Sequence, residues 1–332
     1  MRSLLHVFDA GASTGACARD ETVFAAMRAC AALREIDTAR THRALVLGGT
    51  DSVRHARGCA LRVDARIAPP AGVPRLARRG VERVLDMMDP DGVVWWSAGV
   101  RRALSATPGL PSRRLLVRLD EGSCEARVVN PESGELTSCR RTLAPGPTGL
   151  PAPRPRRARR AGGALRIGLV GATPDSPAAL TLVIGILTVA GIACEGVADA
   201  RTPGMDRAER HVREGGYLRA IRVADGPAAS LFDACDVVLM AGLRGAEPSF
   251  AAWCDAHDAL AWGVPVIVPP LAGAASLGGR ALLTRADRPS EFARVIRERF
   301  ASGHAPEPTA PAGGASIAGA IEAALHELGS ME

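Results

Sequence analysis

Short apolar runs alternate with longer segments of helical periodicity along the first half of the chain. The segment from about Asp20 to Ile36 has apolar residues every three or four positions, which predicts a helix. A second helix is predicted over Pro74–Met88. The apolar runs before, between and after these helices predict strands at Leu4–Phe8, Ala44–Leu47, Gly92–Trp96 and Leu115–Leu119.

The same alternation returns in the second half. The predicted strands are Arg166–Val170, Ala193–Val197, Leu218–Val223, Val237–Met240 and Val264–Val268. The predicted helices are Pro177–Ala190, Asp206–Glu214, Pro227–Cys235, Phe250–Trp262 and Pro289–Phe300. Short apolar strands that alternate with helices are typical of a parallel sheet covered by helices on both faces. We therefore predict an α/β fold with two doubly wound, Rossmann-like parallel sheets.

One break in composition separates the two halves. The segment Leu143–Gly163 contains five prolines, four glycines and five arginines, a composition that favours an extended linker over a packed core. The predicted organisation is a first domain over residues 1–145, a linker over 146–164, a second domain over 165–312 and a last helix within 313–332. That helix, Ala315–Leu328, packs on either the first or the second domain, and the sequence leaves both open.

The composition is that of a globular protein. With 332 residues, of which 47% are hydrophobic and 23% charged, the chain can form two hydrophobic cores. No apolar run approaches the roughly 20 residues that a membrane-spanning helix needs. The first residues carry His6 and Asp9 where a secretory signal is apolar. We therefore expect a cytoplasmic protein.

All 41 basic residues are arginine, and the net charge is +6. The absence of lysine excludes Schiff-base chemistry and a P-loop lysine. Nucleic-acid binding by base stacking is disfavoured because the chain has a single tyrosine and few other aromatic residues. The basic segment Arg154–Arg160 is either a product of compositional bias or a peripheral contact with anionic lipid.

The eight cysteines form no CxxC pair and mostly fall inside apolar runs. This pattern favours buried free thiols over disulfides or a metal site.

The segment Leu231–Pro269 carries the clearest candidate chemistry. It is predicted as a strand, a Gly-rich loop containing Glu247, a helix containing Asp258, and a second strand entered at Gly263. Open α/β sheets bind ligands at the crevice outside the carboxyl ends of their strands. Acids placed there predict recognition of a hydroxyl-rich ligand.

Three stretches, DACDVVLMAGLRG, HDALAWGVPVIV and RALLTRADRPSEFARVIRERF, together resemble the GT-B glycosyltransferases, in particular the retaining group called group 1 or family 4. The stretch LRIGLVGATPDSPAALTLVIGIL resembles the first strand of that family's donor domain, and LLHVFDAGASTGA resembles its opening strand and Gly-rich loop. The resemblance implies a GT-B fold, in which two Rossmann-like domains face each other across a cleft.

The resemblance also implies transfer of a sugar from a nucleoside diphosphate sugar, with retention, to an acceptor that the sequence does not identify. No acidic D-x-D cluster stands in a predicted loop, so no metal is expected, and no cofactor besides the sugar donor. By position Asp258 would hold the ribose and Glu247 would contact the sugar as the catalytic acid. Ten residues separate these two acids, against seven in the family. Sugar-donor binding is also assigned to Gly11, Gly15, Gly171 and Arg244.

The sequence departs from the family at the cations that neutralise the diphosphate. Ala172 and the Asp175–Pro177 stretch stand where the family has an arginine and a lysine. Arg201 or Arg244 could supply the missing cation from a neighbouring loop. These losses favour an alternative, a catalytically degenerate GT-B homologue that acts as a nucleotide- or sugar-binding or partner subunit.

The first domain also lacks the family's histidine. Trp95 and Trp96 follow the strand residues Val93 and Val94 instead. The two indoles predict either an acceptor-side platform for a sugar ring or ordinary core packing. His6, at the start of a strand, is interpreted as a structural histidine.

Overall fold

The computed structural model describes residues 1–9, 17–47, 61–67, 74–96, 110–149, 163–171, 173–199, 222–224, 228–300 and 316–331. The chain divides into two compact units. The first contains Met1–Leu150 together with Ala315–Glu332, and the second contains Pro151–Gly314. The division falls within the segment interpreted as a linker.

The first unit contains a seven-stranded sheet with the order β3-β2-β1-β4-β5-β6-β7. Its strands are β1 (Ser3–Asp9), β2 (Thr41–Leu47), β3 (Ala65–Ile67), β4 (Gly92–Trp95), β5 (Arg113–Arg118), β6 (Ser123–Val129) and β7 (Leu136–Thr142). The helices α1 (Cys17–Ile36) and α2 (Pro74–Met88) connect the parallel strands. The pairs β3-β2, β2-β1, β1-β4 and β4-β5 are all parallel. The helix α1 provides the crossover from β1 to β2, and α2 the crossover from β3 to β4.

The sheet ends in an antiparallel β5-β6-β7 edge that the sequence analysis did not predict. Tight turns join these strands. Gly122 has φ 56° in the first turn, and Asn130 Oδ1 accepts the N–H groups of Glu132 and Ser133 in the second. Every residue of β7 is exposed. Its sequence, LTSCRRT, therefore lacks the apolar alternation that marks a half-buried strand.

The second unit contains a six-stranded sheet with the order β10-β9-β8-β11-β12-β13. Its strands are β8 (Leu165–Leu169), β9 (Cys194–Asp199), β10 (Arg222–Ala224), β11 (Val237–Leu239), β12 (Val266–Val268) and β13 (Leu282–Leu283). All of its strand pairs are parallel. The helices are α3 (Ser176–Val189), α4 (Ala228–Ala234), α5 (Phe250–Ala261) and α6 (Pro289–Phe300), with a 3-10 helix over Ala272–Leu277.

Both sheets follow the Rossmann strand order, in which the first strand lies at the centre and the chain then crosses to its other side. The predicted α/β class with two doubly wound sheets is thus confirmed. The predicted bounds agree with the observed ones to within a few residues for most elements. The helix predicted over Asp206–Glu214 and most of the strand predicted over Leu218–Val223 lie outside the described residues.

The core of the second unit lies between the sheet and two helices. Leu169, Leu239 and Ile267 point from three neighbouring strands into one buried cluster with residues of α3 and α6. The sequence of α3 carries no charged residue, which suits a helix that buries Leu180, Val183 and Leu187. This packing fixes the helices against the sheet and leaves the carboxyl ends of the strands to the loops.

The last helix, α7 (Ile317–Ser330), belongs to the first unit. It packs against α1 and against β5 and β6, and Glu327 forms an ion pair with Arg141 of β7. Of the two packings left open by the sequence, this is the one on the first domain.

Five of the described cysteines are buried free thiols, as predicted, while Cys139 on β7 is exposed. The buried ones are Cys30, Cys124, Cys194, Cys235 and Cys254. Within the described part of the chain, no helix combines the length and the apolar character needed to cross a bilayer.

Candidate functional site

The chain leaves the central strand β8 through a glycine that the packing requires. Gly171 has φ 57°, a backbone conformation that residues with a Cβ rarely adopt. A Cβ on Gly171 would also lie 2.7 Å from the Cβ of Ala252 in the first turn of α5. The glycine therefore lets the amino end of α5 approach the carboxyl end of β8.

The loop after β11 packs directly against the loop after β8. A Cβ on Gly242 would lie 2.9 Å from the backbone of Ser176, at the start of α3. Thr173 Oγ1 donates a hydrogen bond of 2.9 Å to the carbonyl of Gly242. Because β8 and β11 are adjacent strands on either side of the point where the strand order reverses, these loops meet where doubly wound sheets bind ligands.

Three residues of the β11 loop have a left-handed backbone. The φ angles are 77° at Gly242, 52° at Arg244 and 81° at Gly245. Asp287, which follows β13, accepts hydrogen bonds from the N–H groups of Gly242 (3.1 Å, to Oδ1) and Arg244 (2.7 Å, to Oδ2). One carboxylate in the segment after β13 thus holds the loop after β11 through two backbone N–H groups. Sequence reasoning missed Asp287, although its position just after an apolar strand is a usable signal.

The side chain of Arg244 is 75% exposed, and its Nε lies 3.0 Å from Asp175 Oδ2. The hydrogen bond to Asp287 fixes the backbone of Arg244, while its guanidinium lies in solvent at the edge of the sheet. An exposed ion pair of this kind contributes little to stability, so the guanidinium can exchange Asp175 for another anion.

Glu247 is exposed and lies between the β11 loop and α5. Its Oε1 accepts a 3.0 Å hydrogen bond from the N–H of Gly273, in the 3-10 helix. Ser249 caps α5, since its Oγ accepts the N–H of Ala252 at 3.1 Å. The Glu247 carboxylate is therefore anchored at one oxygen by the amino end of the 3-10 helix, where negative charge is favourable.

Asp258 lies on the inner side of α5 and is 1% exposed. A ligand hydroxyl reaches this carboxylate only if the residues that cover it move, so its role at the ribose stays a prediction. Its neighbour His257 is also buried, with Nε2 3.4 Å from Ser276 Oγ. Burial, reinforced by the charge of Arg280, lowers the pKa of His257 from 6.5 to about 4.

The structure gives Trp95 and Trp96 a packing role and offers no support for an acceptor-side platform. They are 4% and 1% exposed, so neither indole face is open to a sugar ring. Trp95 belongs to a core cluster with Val7 and Val93. Trp96 stacks on Phe8, with ring centroids 5.8 Å apart. The core-packing alternative therefore describes both residues.

His6 is fully buried and is hydrogen-bonded at both ring nitrogens. Trp96 Nε1 donates to His6 Nδ1 at 3.0 Å, and His6 Nε2 lies 2.8 Å from His42 Nδ1. Because an indole N–H only donates, neutral His6 carries its proton on Nε2 and donates it to His42. Burial, with the charges of His42 and Arg34, lowers the pKa of His6 well below 6.5. The interpretation as a structural histidine agrees with this arrangement.

Several candidate residues lie outside the described residues. These are Gly11, Gly15, Ala172, Arg201 and the segment Arg154–Arg160. Among the residues that are described, no group of three His, Cys, Asp or Glu side chains is arranged to hold a metal ion.

No family profile and no curated protein matches this sequence. Solved structures with the same fold do exist. The S. aureus protein MnaA in complex with UDP is 9% identical, with a TM-score of 0.53 over 100% of this chain and 98% of that one. Anabaena HepE in complex with UDP and glucose is 12% identical, with a TM-score of 0.51 over the whole of both chains.

A third structure of this kind is UDP-GlcNAc 2-epimerase from Neisseria meningitidis bound to UDP-GlcNAc. It is 11% identical, with a TM-score of 0.50 over 98% of this chain and 99% of that one. At such identities the similarity concerns the fold, and it extends over both units. The chain therefore has the two-domain, Rossmann-like GT-B fold, in a divergent form.

Proposed function

We propose that the protein binds a uridine diphosphate sugar at the carboxyl edge of the second sheet and transfers the sugar to an acceptor, with retention and without a metal. The observation that carries this proposal is Arg244, an exposed cation on a fixed loop where the loops after β8 and β11 meet. Uridine is chosen because structures of the same fold contain UDP or UDP-GlcNAc.

In this proposal Arg244 takes over the work of the missing cation pair. A departing diphosphate gains negative charge, and a fixed guanidinium stabilises that charge through two parallel hydrogen bonds. The first amides of α5, at Phe250 and Ala251, precede the first intrahelical bond and add a partial positive charge. The close approach of α5 at Gly171 brings them to the same edge of the sheet.

Glu247 is the acid proposed to contact the sugar, because it is exposed and already anchored through Gly273. Asp258 is proposed to hold the ribose after local opening of its surroundings. The assignment of Gly11 and Gly15 to the sugar donor stays a prediction, because both lie outside the described residues. A Glu247→Gln variant that keeps full transfer, or an Asp258→Asn variant that keeps full affinity for UDP, would remove that residue from the site.

A second candidate function is a non-catalytic nucleotide- or sugar-binding subunit. The observation that favours it is the carboxylate of Asp175, which occupies the region where the family has cations and which pairs with Arg244. A carboxylate beside the diphosphate opposes catalysis by raising the local negative charge, while leaving a binding pocket in place.

Calorimetric titration with UDP and a panel of uridine, guanosine and adenosine diphosphate sugars tests the proposal. We expect binding of UDP, slow release of free sugar from the matching sugar donor, and loss of affinity in Arg244→Ala. Arg299 is an exposed residue of α6, so Arg299→Ala is the matched control and should bind as the wild type does. Tight binding without turnover favours the non-catalytic binding subunit. Epimerisation at C2 of UDP-GlcNAc contradicts sugar transfer as the activity. Failure to bind any nucleotide refutes both candidate functions.

A further inference from the structure

Arg244 adopts a backbone conformation that its residue type disfavours. Its φ of 52° lies in the left-handed region, and it stands in a loop whose other left-handed residues are glycines. A Cβ in this region clashes with the following carbonyl, so the surrounding structure must offset the cost. Glycine at this position would avoid the cost altogether.

The offset comes from Asp287. Its two carboxylate oxygens accept the N–H groups of Gly242 and Arg244 at 3.1 Å and 2.7 Å. Amides that converge in this way form a concavity that binds anions. Here an internal carboxylate fills the concavity, so these two amides stabilise the loop, and the 75% exposed Arg244 side chain is the group that extends into solvent as a cation.

The connection joins two loops that are remote in sequence. Asp287 follows β13, whereas Arg244 follows β11, 43 residues earlier. Hydrogen bonds to an ionised acceptor are stronger than neutral ones, which allows one side chain to define the loop. Asp287 therefore holds the backbone of Arg244 from a different loop.

We infer that Asp287 is the positioning residue for Arg244, and that its carboxylate sets the direction in which the guanidinium meets the diphosphate of the nucleotide sugar. This inference rests on the proposed function and adds to it a residue that never touches the ligand. It requires the effect of Asp287 on diphosphate affinity to pass entirely through Arg244.

A double-mutant cycle on the full chain, with UDP as the probe in calorimetry, tests this requirement. We expect Asp287→Ala to weaken UDP binding roughly tenfold in the wild-type background, the scale of one lost hydrogen bond at the guanidinium. In the Arg244→Ala background the same change should alter affinity by less than about twofold, because the residue through which it acts is gone.

The matched control is Asp236→Ala. Asp236 also accepts a backbone N–H, that of Arg166 at 2.8 Å, and forms an ion pair with the same arginine. It lies where β8 and β11 begin, so its loss should lower the melting temperature and leave UDP affinity unchanged. Asp287→Asn keeps the size of the side chain and one acceptor oxygen, and it replaces the alanine variant in the cycle if that variant fails to fold.

The outcomes are distinct. Equal weakening by Asp287→Ala in both backgrounds refutes the positioning role and leaves the proposed function standing. Unchanged UDP affinity in Arg244→Ala also refutes it, since there is then no cation to position. Absence of UDP binding in the wild type refutes the proposed function, and the inference falls with it.

Discussion

The guanidinium of Arg244 lies 3.0 Å from the carboxylate of Asp175, across the junction of the two loops that flank the centre of the second sheet. Asp175 immediately precedes α3, and Arg244 follows β11. A carboxylate and a diphosphate are both anionic acceptors for a guanidinium. In the proposed function Asp175 therefore competes with the ligand for Arg244.

Replacement of Asp175 by Asn should raise affinity for UDP. The amide keeps the shape of the side chain but removes both the competitor for Arg244 and the repulsion between two negative charges. We expect a gain of a few fold, because an exposed ion pair of this kind is weak. Titration at low and high salt measures the effect, which should shrink as salt screens the charges. Weaker binding in this variant would show that Asp175 is not a competitor.

Replacement of Arg244 by Gly should separate stability from binding. Glycine adopts φ 52° without strain, and this relief by itself should raise the free energy of unfolding by about 1 kcal/mol. The greater conformational freedom of glycine in the unfolded chain offsets part of that gain. The same variant should lose affinity for UDP. Urea unfolding and calorimetry on one preparation check both effects. Arg244→Ala, which keeps the strain, should lose affinity without gaining stability.

The second unit should lose stability as the pH falls below about 6.5. The pKa of His257 is about 4 in the folded protein, against 6.5 as its ordinary value. Between these pH values the unfolded chain binds a proton that the folded chain excludes, so the free energy of unfolding falls as the pH falls. Urea unfolding at pH 7.5 and pH 5 measures this slope.

His257→Gln should remove most of this slope for the second unit. In unfolding of the whole chain part of the slope should remain, because burial also lowers the pKa of His6 and His42 in the first unit. These two histidines add to the loss of stability in the same direction. A slope identical to that of the wild type would show that His257 is not the titrating group in the second unit.

Replacement of His6 by Leu should destabilise the first unit through Trp96. The indole N–H at Trp96 Nε1 would lose its acceptor inside the core, which costs about 1–3 kcal/mol. Trp96→Phe removes the stranded donor, so it should cost less in the His6→Leu background than in the wild type. Thermal unfolding of the four proteins gives the coupling. Additive effects would contradict the hydrogen bond between these residues.

Local patterns predicted the elements that bury an apolar face. The helix over Pro74–Met88 has a helical period because it buries one face, and the strand at Val237 is a continuous apolar run because all of its residues are buried. Both signals can be read without a partner strand or helix. The edge strand β7 could not be found in this way, since its side chains are all exposed and its pairing with β6 is made by backbone groups. Backbone hydrogen bonds leave no pattern in the side chains.

The candidate site shows the same division between what local sequence patterns predict and what only the packing decides. Glycines, an arginine and acids at the ends of apolar strands predict a ligand site at the edge of the second sheet, and this site stays a prediction. Their individual surroundings were not predictable. Asp258 is buried and Glu247 is exposed, although both are acids near the same helix. Asp287 holds the loop of Arg244 from 43 residues away.

By itself the sequence determined the two doubly wound sheets, because the alternation of apolar and polar positions is a local consequence of which faces are buried. Only the tertiary structure decided that Trp96 packs inside, that α7 returns to the first unit and that Asp287 fixes Arg244. The reason is physical. A hydrogen bond or a buried contact between segments distant in sequence depends on the packing of the whole unit, and no short stretch of the chain contains both partners.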